Sequence, residues 1–236
     1  MKIALVPGDA RQEALGRLLA QEGCEVCPYV PGEKADAWLF PLPTGNHPVL
    51  AELKSGSLAL TAMAAGEHPH LRLRDYYCDK EEILLRNAAI TAEGAIALAL
   101  EKTERTLLGS RVLILGGGRI AQALGPRLRA LGAEVTVYAR SAAQRAAAES
   151  AGCRSLDRLP EPLAGYHILF NTIPAPVLPG AAEGALNIEL ASAPGGFRDP
   201  GGVVIARGLP GRTAPLSAAE ALLNSVQAII REEASS

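Results

Sequence analysis

Residues 111–125 constrain the fold of this chain more than any other stretch. They read Arg-Val-Leu-Ile-Leu, then Gly116-Gly117-Gly118, then Arg119-Ile120-Ala121-Gln-Ala-Leu-Gly. The apolar run Val112 to Leu115 has the length and composition of a buried strand. After the glycines, Ile120, Leu124, Leu128 and Leu131 recur near the helical period, and Gly132 stops that helix. A second strand, Glu134 to Tyr138, follows. Gly116, Gly118 and Ala121 fit the spacing G-x-G-x-x-A. The first glycine allows a tight turn, the second lets backbone N–H groups approach a pyrophosphate, and the small third residue lets helix and strand pack closely. Gly116, Gly117, Gly118, Arg119, Ile120 and Ala121 are therefore candidate cofactor-binding residues at a helix N-terminus, where free N–H groups and partial positive charge suit phosphate. The alternative is an ordinary βαβ unit with a glycine-rich turn. Pro126, inside the helix, is expected to bend it.

The second strand ends in Ala139-Arg140-Ser141, with Arg145 close behind. A site for NAD usually has Asp or Glu here, accepting from the ribose 2′-hydroxyl. Arginine instead offers a charged fork to a 2′-phosphate, and Ser141 adds a hydroxyl donor, so Arg140, Ser141 and Arg145 point to NADP rather than NAD. The other reading of these arginines is as solvated surface charges.

The rest of the chain is read around this unit. Lys2 to Val6 is a short apolar strand, Pro7-Gly8-Asp9 a turn, and a helix carrying Leu15, Leu18 and Leu19 runs to Gly23, with Asp9 a possible cap for it. Strands follow at Val26 to Val30 and at Trp38-Leu-Phe, whereas residues 44–90 read less clearly. Thr91 to Leu107 predicts an Ala-rich helix with Thr91 as N-cap and Glu93 in its first turn. Later strands end at Asn171-Thr172-Ile173-Pro174, at Ala191-Ser192 and before Gly208-Leu-Pro-Gly211, each in a loop of the type that lines ligand crevices in open α/β sheets. Ser217 and Glu220 predict a capping box for a last helix.

The expected fold class is α/β: a C-terminal Rossmann dinucleotide-binding domain, a smaller N-terminal flavodoxin- or Rossmann-like α/β domain, and a closing C-terminal helix. The domain reading is 1–88 for the substrate side, joined by the helix 216–234, and 89–215 for NADP, opening with the junction helix 91–107. A 48% hydrophobic and 20% charged composition suits a packed soluble protein, and a net charge of -2 argues against nucleic acid as main partner. The apolar start is broken by Pro7-Gly8-Asp9, which reads as no secretory signal, and no apolar run reads as spanning a membrane, so the expected location is cytoplasmic. Cys24 and Cys27 form a C-x-x-C, but residues three apart on a strand diverge, so they are read as bystander thiols rather than a metal or redox pair. His68 and His70 have no partner cluster, and no metal is expected.

Taken in order, these residues resemble the dipicolinate synthase A-subunit family. The resemblance rests on Gly8-Asp-Ala-Arg11-Gln12, Pro41-Leu-Pro, Asn87-Ala-Ala-Ile-Thr91-Ala-Glu93-Gly-Ala95, the glycine motif, Ala139-Arg-Ser141, Asn171-Thr-Ile-Pro174, Leu190-Ala-Ser192-Ala-Pro-Gly-Gly196, and Gly208-Leu-Pro-Gly211 with Ala214-Pro215. It covers the nucleotide-binding half almost continuously and the N-terminal half in islands. The chain departs from the family at Ile90, where proline is usual, at Glu189, where Asp is usual, and at Ala193, where a basic residue is usual.

The resemblance implies an NADP-dependent dehydrogenase of sporulation. It would oxidise the dihydropyridine formed from 4-hydroxytetrahydrodipicolinate to dipicolinate, in an oligomer with a flavoprotein-like second subunit. A small cyclic dicarboxylate substrate needs cationic or N–H donors. Arg11 is the first candidate, its other reading being a surface charge at a helix start, and Arg212 is a weaker one. Thr91 and Glu93 would sit at the junction-helix N-terminus, Glu93 as a base or as a partner of the helix dipole. Ser192 would touch substrate or the nicotinamide amide, or simply make a turn. Asn171 and Thr172, with Ile173 and Pro174, would lie along the nicotinamide ribose by analogy of fold. Two other functions stay open: a related NADP-dependent oxidoreductase acting on another small carboxylate, and a non-catalytic NADP-binding component of a complex.

Overall fold

The computed structural model describes residues 1–78 and 80–235. Two compact units emerge, residues 88–209 and residues 1–87 with the segment from Pro210 onward.

In the unit of residues 88–209, a parallel sheet is built from β6 (Arg111–Leu115), β7 (Glu134–Tyr138), β8 (Arg154–Leu156), β9 (Ile168–Asn171), β10 (Leu186–Glu189) and β11 (Val203–Ile205). Its spatial order is β8-β7-β6-β9-β10-β11, and every pairing is parallel. The chain thus builds outward from β6 in one direction, then returns to β6 and builds in the other, the doubly wound Rossmann arrangement. The switch falls between β6 and β9. Val112, Ile114, Ile168, Phe170 and Ile188 are buried on one side with Ala121, Leu124 and Leu128 of helix α4 (Arg119–Ala130), whereas Leu113, Leu115 and Leu169 fill the other. Burial on both faces explains why these strands read as continuous apolar runs.

In the other unit, β1 (Lys2–Leu5), β2 (Glu25–Pro28), β3 (Ala37–Leu39), β4 (Leu58–Thr61) and β5 (Arg72–Asp75) make a parallel sheet in the order β2-β1-β3-β4-β5, the flavodoxin-like order. Helix α1 (Ala10–Gln21) and the closing helix α7 (Pro215–Ala234) pack on it. Ala219, Leu222, Val226 and Ile229 of α7 are buried with Ile3, Leu15, Leu19, Leu39 and Leu60. The short helix α2 (Val49–Glu52) covers a second cluster around Val6, Phe40 and Ala59.

Several local expectations are corrected. Helix α3 runs Glu81–Lys102, so neither its start at Thr91 nor its end at Leu107 is as expected. Glu81 and Glu82 occupy its first turn, favoured by the dipole, while Thr91 is a buried interior residue between Ala88 and Ala95. The helix stops where Thr103 and Thr106 accept from the backbone N–H groups of Arg105 (3.1 Å) and Leu108 (3.3 Å), hydroxyl bonds that compete with helical ones. By length and composition α3 could cross a membrane, contrary to the expectation that no run is apolar enough; Ala88, Ala92, Ala95 and Ala99 are buried in the protein instead. The Ser217–Glu220 capping box does not form, because α7 starts earlier with Pro215 preset for the first turn. Helix α4 holds Pro126 in its interior, as expected, but Leu131 is its half-exposed cap rather than part of the buried stripe. Gly208-Leu-Pro-Gly211 is not simply a loop but leads into the short helix α6 (Leu209–Thr213). Strands β5 and β8 and helix α5 (Ala142–Ser150) have no counterpart among the expected elements: the strands are short, polar sheet edges, and α5 buries no residue, so neither carries an apolar signature. The four cysteines are free, and burial pushes the Cys153 thiol up, partly offset by Arg129.

Candidate functional site

At the carboxyl end of β6 the backbone turns at Gly116 with φ +99, a left-handed conformation that side chains rarely adopt. A Cβ there would stand 2.4 Å from Oγ1 of Thr172, so β6 and the end of β9 touch through this missing side chain. Gly117 is also required by the protein: its Cβ would lie 2.6 Å from Cβ of Gln144 on α5 and 3.0 Å from that of Ala139. Gly118 differs. It has an ordinary φ of -77, and a Cβ there would meet nothing within 4 Å. Gly118 is also the N-cap of α4, whose first turn holds no acidic residue and whose cap makes no side-chain hydrogen bond. The positive end of the helix therefore opens at Gly118 with no acidic residue in its own first turn, a chemistry suited to phosphate oxygens. Ala121 is buried against the core, Ile120 half-buried and Arg119 exposed. Gln122, not foreseen, donates from Nε2 to the Gly117 carbonyl at 3.0 Å and steadies the turn.

The end of β7 lies next in the sheet. Arg145 folds back, its Nη1 donating to the carbonyls of Ala139 (2.9 Å) and Arg140 (2.8 Å). Much of its donor capacity thus shapes the turn, while Arg140 and Ser141, the N-cap of α5, remain exposed.

On the other side of β6, Asn171 is 0% exposed, and its side chain is turned to the protein. Nδ2 donates to Oε1 of Glu189 (2.7 Å) and to the Ile173 carbonyl (2.9 Å), and Oδ1 accepts from the Ile173 N–H. Glu189, 1% exposed, also accepts from the backbone N–H groups of Ala191 (2.9 Å) and Gly196 (2.6 Å). A Cβ on Gly195 or Gly196 would strike this pair, at 2.8 Å from Glu189 and 2.3 Å from Asn171. The loops after β9 and β10 are thus tied into one body by a buried carboxylate. The sequence showed Glu189 only as a departure from the family, and the signal that could have found it is the polar residue at a strand end facing a glycine pair. Thr172 donates to the Leu115 carbonyl at 2.7 Å, Ile173 is half-buried, and Pro174 and Ser192 are exposed beyond their strand ends. Glu189→Ala strands three donors in the interior and is expected to cost about 3 kcal/mol or more, read as a lower urea midpoint; an unchanged midpoint refutes the structural role.

Gly116–Ala121, Arg140–Arg145 and Asn171–Pro174 thus converge on the carboxyl ends of adjacent strands, and Ser192 follows the next strand in the same sheet. The remaining candidates are placed otherwise. Glu93 and Thr91 lie within α3, so neither meets a helix N-terminus; Glu93 is exposed and pairs with Arg127 at 3.4 Å. Arg11, in the N-terminal unit, is not a surface charge but 5% exposed. Its Nη2 pairs with Asp9 at 3.0 Å and donates to the Leu42 carbonyl, while Asp9 caps α1 by accepting from the N–H groups of Arg11 and Gln12. Gln12 donates to the Leu39 carbonyl at 2.8 Å. The neighbouring Tyr76 hydroxyl, pushed well up chiefly by burial, donates to the Phe40 carbonyl at 2.8 Å. Arg212 is exposed in α6.

Residues 86–177 match the family model of the D-isomer specific 2-hydroxyacid dehydrogenase, NAD binding domain. The A subunit of dipicolinate synthase from Bacillus subtilis (strain 168) is 35% identical over 167 residues, an alignment covering 65% of this chain and 56% of that protein's length. The crystal structure of the dipicolinate synthase A chain from Bacillus subtilis superposes with a TM-score of 0.74 at 25% identity, over 100% of this chain and 97% of that one. The A subunit from Bacillus halodurans shares the fold, with a TM-score of 0.76 at 22% identity over 97% of each chain.

Proposed function

The chain is homologous to the dipicolinate synthase A subunit, and from that premise we propose that it is an NADP-dependent dehydrogenase forming dipicolinate. Residues 86–177 are of a dehydrogenase nucleotide-binding type. The observation that carries the dinucleotide reading is the open position at Gly118, where an added Cβ would meet nothing within 4 Å and nothing in the protein requires the glycine. In this reading, loss of water from 4-hydroxytetrahydrodipicolinate gives a dihydropyridine, which then loses a hydride and a proton to become the aromatic dicarboxylate. Oxidised nicotinamide, when bound, supplies the hydride acceptor. Because aromatisation drives the oxidation, the chain's task is mainly to hold the ring and exclude water.

The residues divide that task. Gly118 and the first turn of α4 receive the pyrophosphate. Arg140, with Ser141, takes the 2′-phosphate, while Arg145 holds their turn. The Glu189–Asn171 pair fixes the loops after β9 and β10, and Ser192 is the exposed group left for a ligand there. Arg11 acts through Asp9 and Leu42 to fix its strand-end turn, and Glu93 takes no part. A flavoprotein-like second subunit completes the enzyme.

Arg140→Ala is expected to weaken NADP about tenfold, the loss of one exposed charge-assisted contact, and to leave NAD unchanged; titration of dinucleotide fluorescence compares the two. Equal effects on both would remove the NADP preference. The reaction itself is tested by supplying freshly generated 4-hydroxytetrahydrodipicolinate and NADP to the purified protein, with and without the candidate second subunit. Dipicolinate formed together with NADPH is the expected result. Dinucleotide binding with no product in either condition would defeat it.

A further inference from the structure

At the amino end of the C-terminal sheet lies a cavity of about 570 Å³ that is separate from the glycine loop. Arg111, Glu134 and Arg154 line it, and Arg111 and Glu134 are the first residues of β6 and β7 while Arg154 is the first of β8. Arg129, in the last turn of α4, reaches the same cavity. The glycine loop follows the far end of β6, about 13 Å along the strand from Arg111 at ~3.3 Å per residue.

Three arginines from three elements therefore line one concavity, and among the described residues none has a carboxylate within salt-bridge distance. Glu134 is beside Arg111 in the strand register, yet does not pair with it. Against one carboxylate, three arginines leave a surplus of two positive charges in the lining. Two of them are already oriented. The Arg111 guanidinium lies against Gly165, whose Cβ would stand 3.4 Å from its Nη1, and Arg129 Nη1 donates to the Ala133 carbonyl at 3.3 Å. Tyr166, packed into the cluster of Leu113 and Leu169, gives the cavity an apolar side. Guanidinium forks match carboxylate geometry, and the charge surplus matches a dianion.

From this we infer that the amino end of the sheet holds a second ligand site for a small dicarboxylate on a carbon frame, bound by Arg111, Arg129 and Arg154. The dianion site stands on the cavity alone, whereas its assignment to a dicarboxylate also rests on the proposed function. Bound here, the ligand would act at a distance from the dinucleotide end, as an effector rather than as a reactant.

The test is a titration of the ¹⁵N-labelled full chain with pyridine-2,6-dicarboxylate, and separately with inorganic phosphate, reading the amide resonances of Gly152, Gly165 and Tyr166. Saturable shifts at these amides with the dicarboxylate are expected. The double variant Arg111→Ala/Arg154→Ala should raise the dissociation constant about tenfold or more, as loss of two charge-assisted contacts requires. The pair Arg105→Ala/Arg198→Ala, exposed arginines elsewhere, should not. Absence of saturable shifts there, or shifts that survive the double variant, overturns the site. Saturation by phosphate alone overturns the dicarboxylate. Dinucleotide binding, followed by fluorescence in the same samples, is expected to be equal in all variants, so failure of the cofactor reading would show separately.

Discussion

Gly118→Leu is expected to leave the thermal transition of the protein unchanged and to weaken dinucleotide binding by about 100-fold or more, or ~2.7 kcal/mol. The first half follows from the open space around Gly118 and its ordinary φ of -77, which a leucine can adopt. The second follows if that space belongs to a pyrophosphate, because the leucine side chain would then stand between phosphate oxygens and the N–H groups of α4. Gly116→Ala should behave in the opposite way. Its left-handed backbone and the 2.4 Å approach to Thr172 make a methyl group costly to the fold itself. A penalty of about 3 kcal/mol is expected from backbone strain plus overpacking. Measuring melting temperature and dinucleotide affinity for both variants separates a glycine kept for a ligand from one kept for the fold. If Gly118→Leu binds the dinucleotide as well as the parent chain, the phosphate site is not at this helix end.

A charge placed at Val226 is expected to unfold the N-terminal unit. Val226 is 0% exposed on α7, among Ile3, Leu15, Leu19 and Leu39, elements near the opposite end of the chain. An unpaired aspartate there costs on the order of 5 kcal/mol, as much as the whole stability of many domains. Glu233, at the far end of α7, pairs with Arg72 and Arg74 of β5, but such pairs at a partly exposed edge contribute little beside the apolar core. Limited proteolysis with mass mapping should find Val226→Asp cut within residues 1–87 while 88–209 resists. Val226→Ala, losing two methyl groups to a cavity, should shift the urea midpoint by only about 2 kcal/mol. Protection of residues 1–87 in Val226→Asp equal to that of the parent would show that α7 is not part of that core.

How far such sites could be read in advance depends on how local their cause is. The β6–α4–β7 unit was legible because its determinants are neighbours in sequence: an apolar run, a glycine triplet, and apolar residues at helical spacing. The buried central strands were legible for the same reason, since a strand covered on both faces announces itself by composition. The start of α3 was not. Thr91 is equally a capping type and a tolerable interior residue, and burial between Ala88 and Ala95 decided which. The same burial moves the candidate Glu93 from an expected helix start to the interior of α3, where it pairs with Arg127.

The sequence by itself determined the two α/β units' character, the phosphate-suited turn and the small residues that make it possible, because steric and periodic constraints act over a few residues. Tertiary structure alone decided the roles of the charged and polar groups. Asn171 meets Glu189 across 18 positions, and Arg11 meets the Leu42 carbonyl across 31. A polar side chain's fate depends on whether a partner is present when water is removed, and that partner can come from anywhere in the chain.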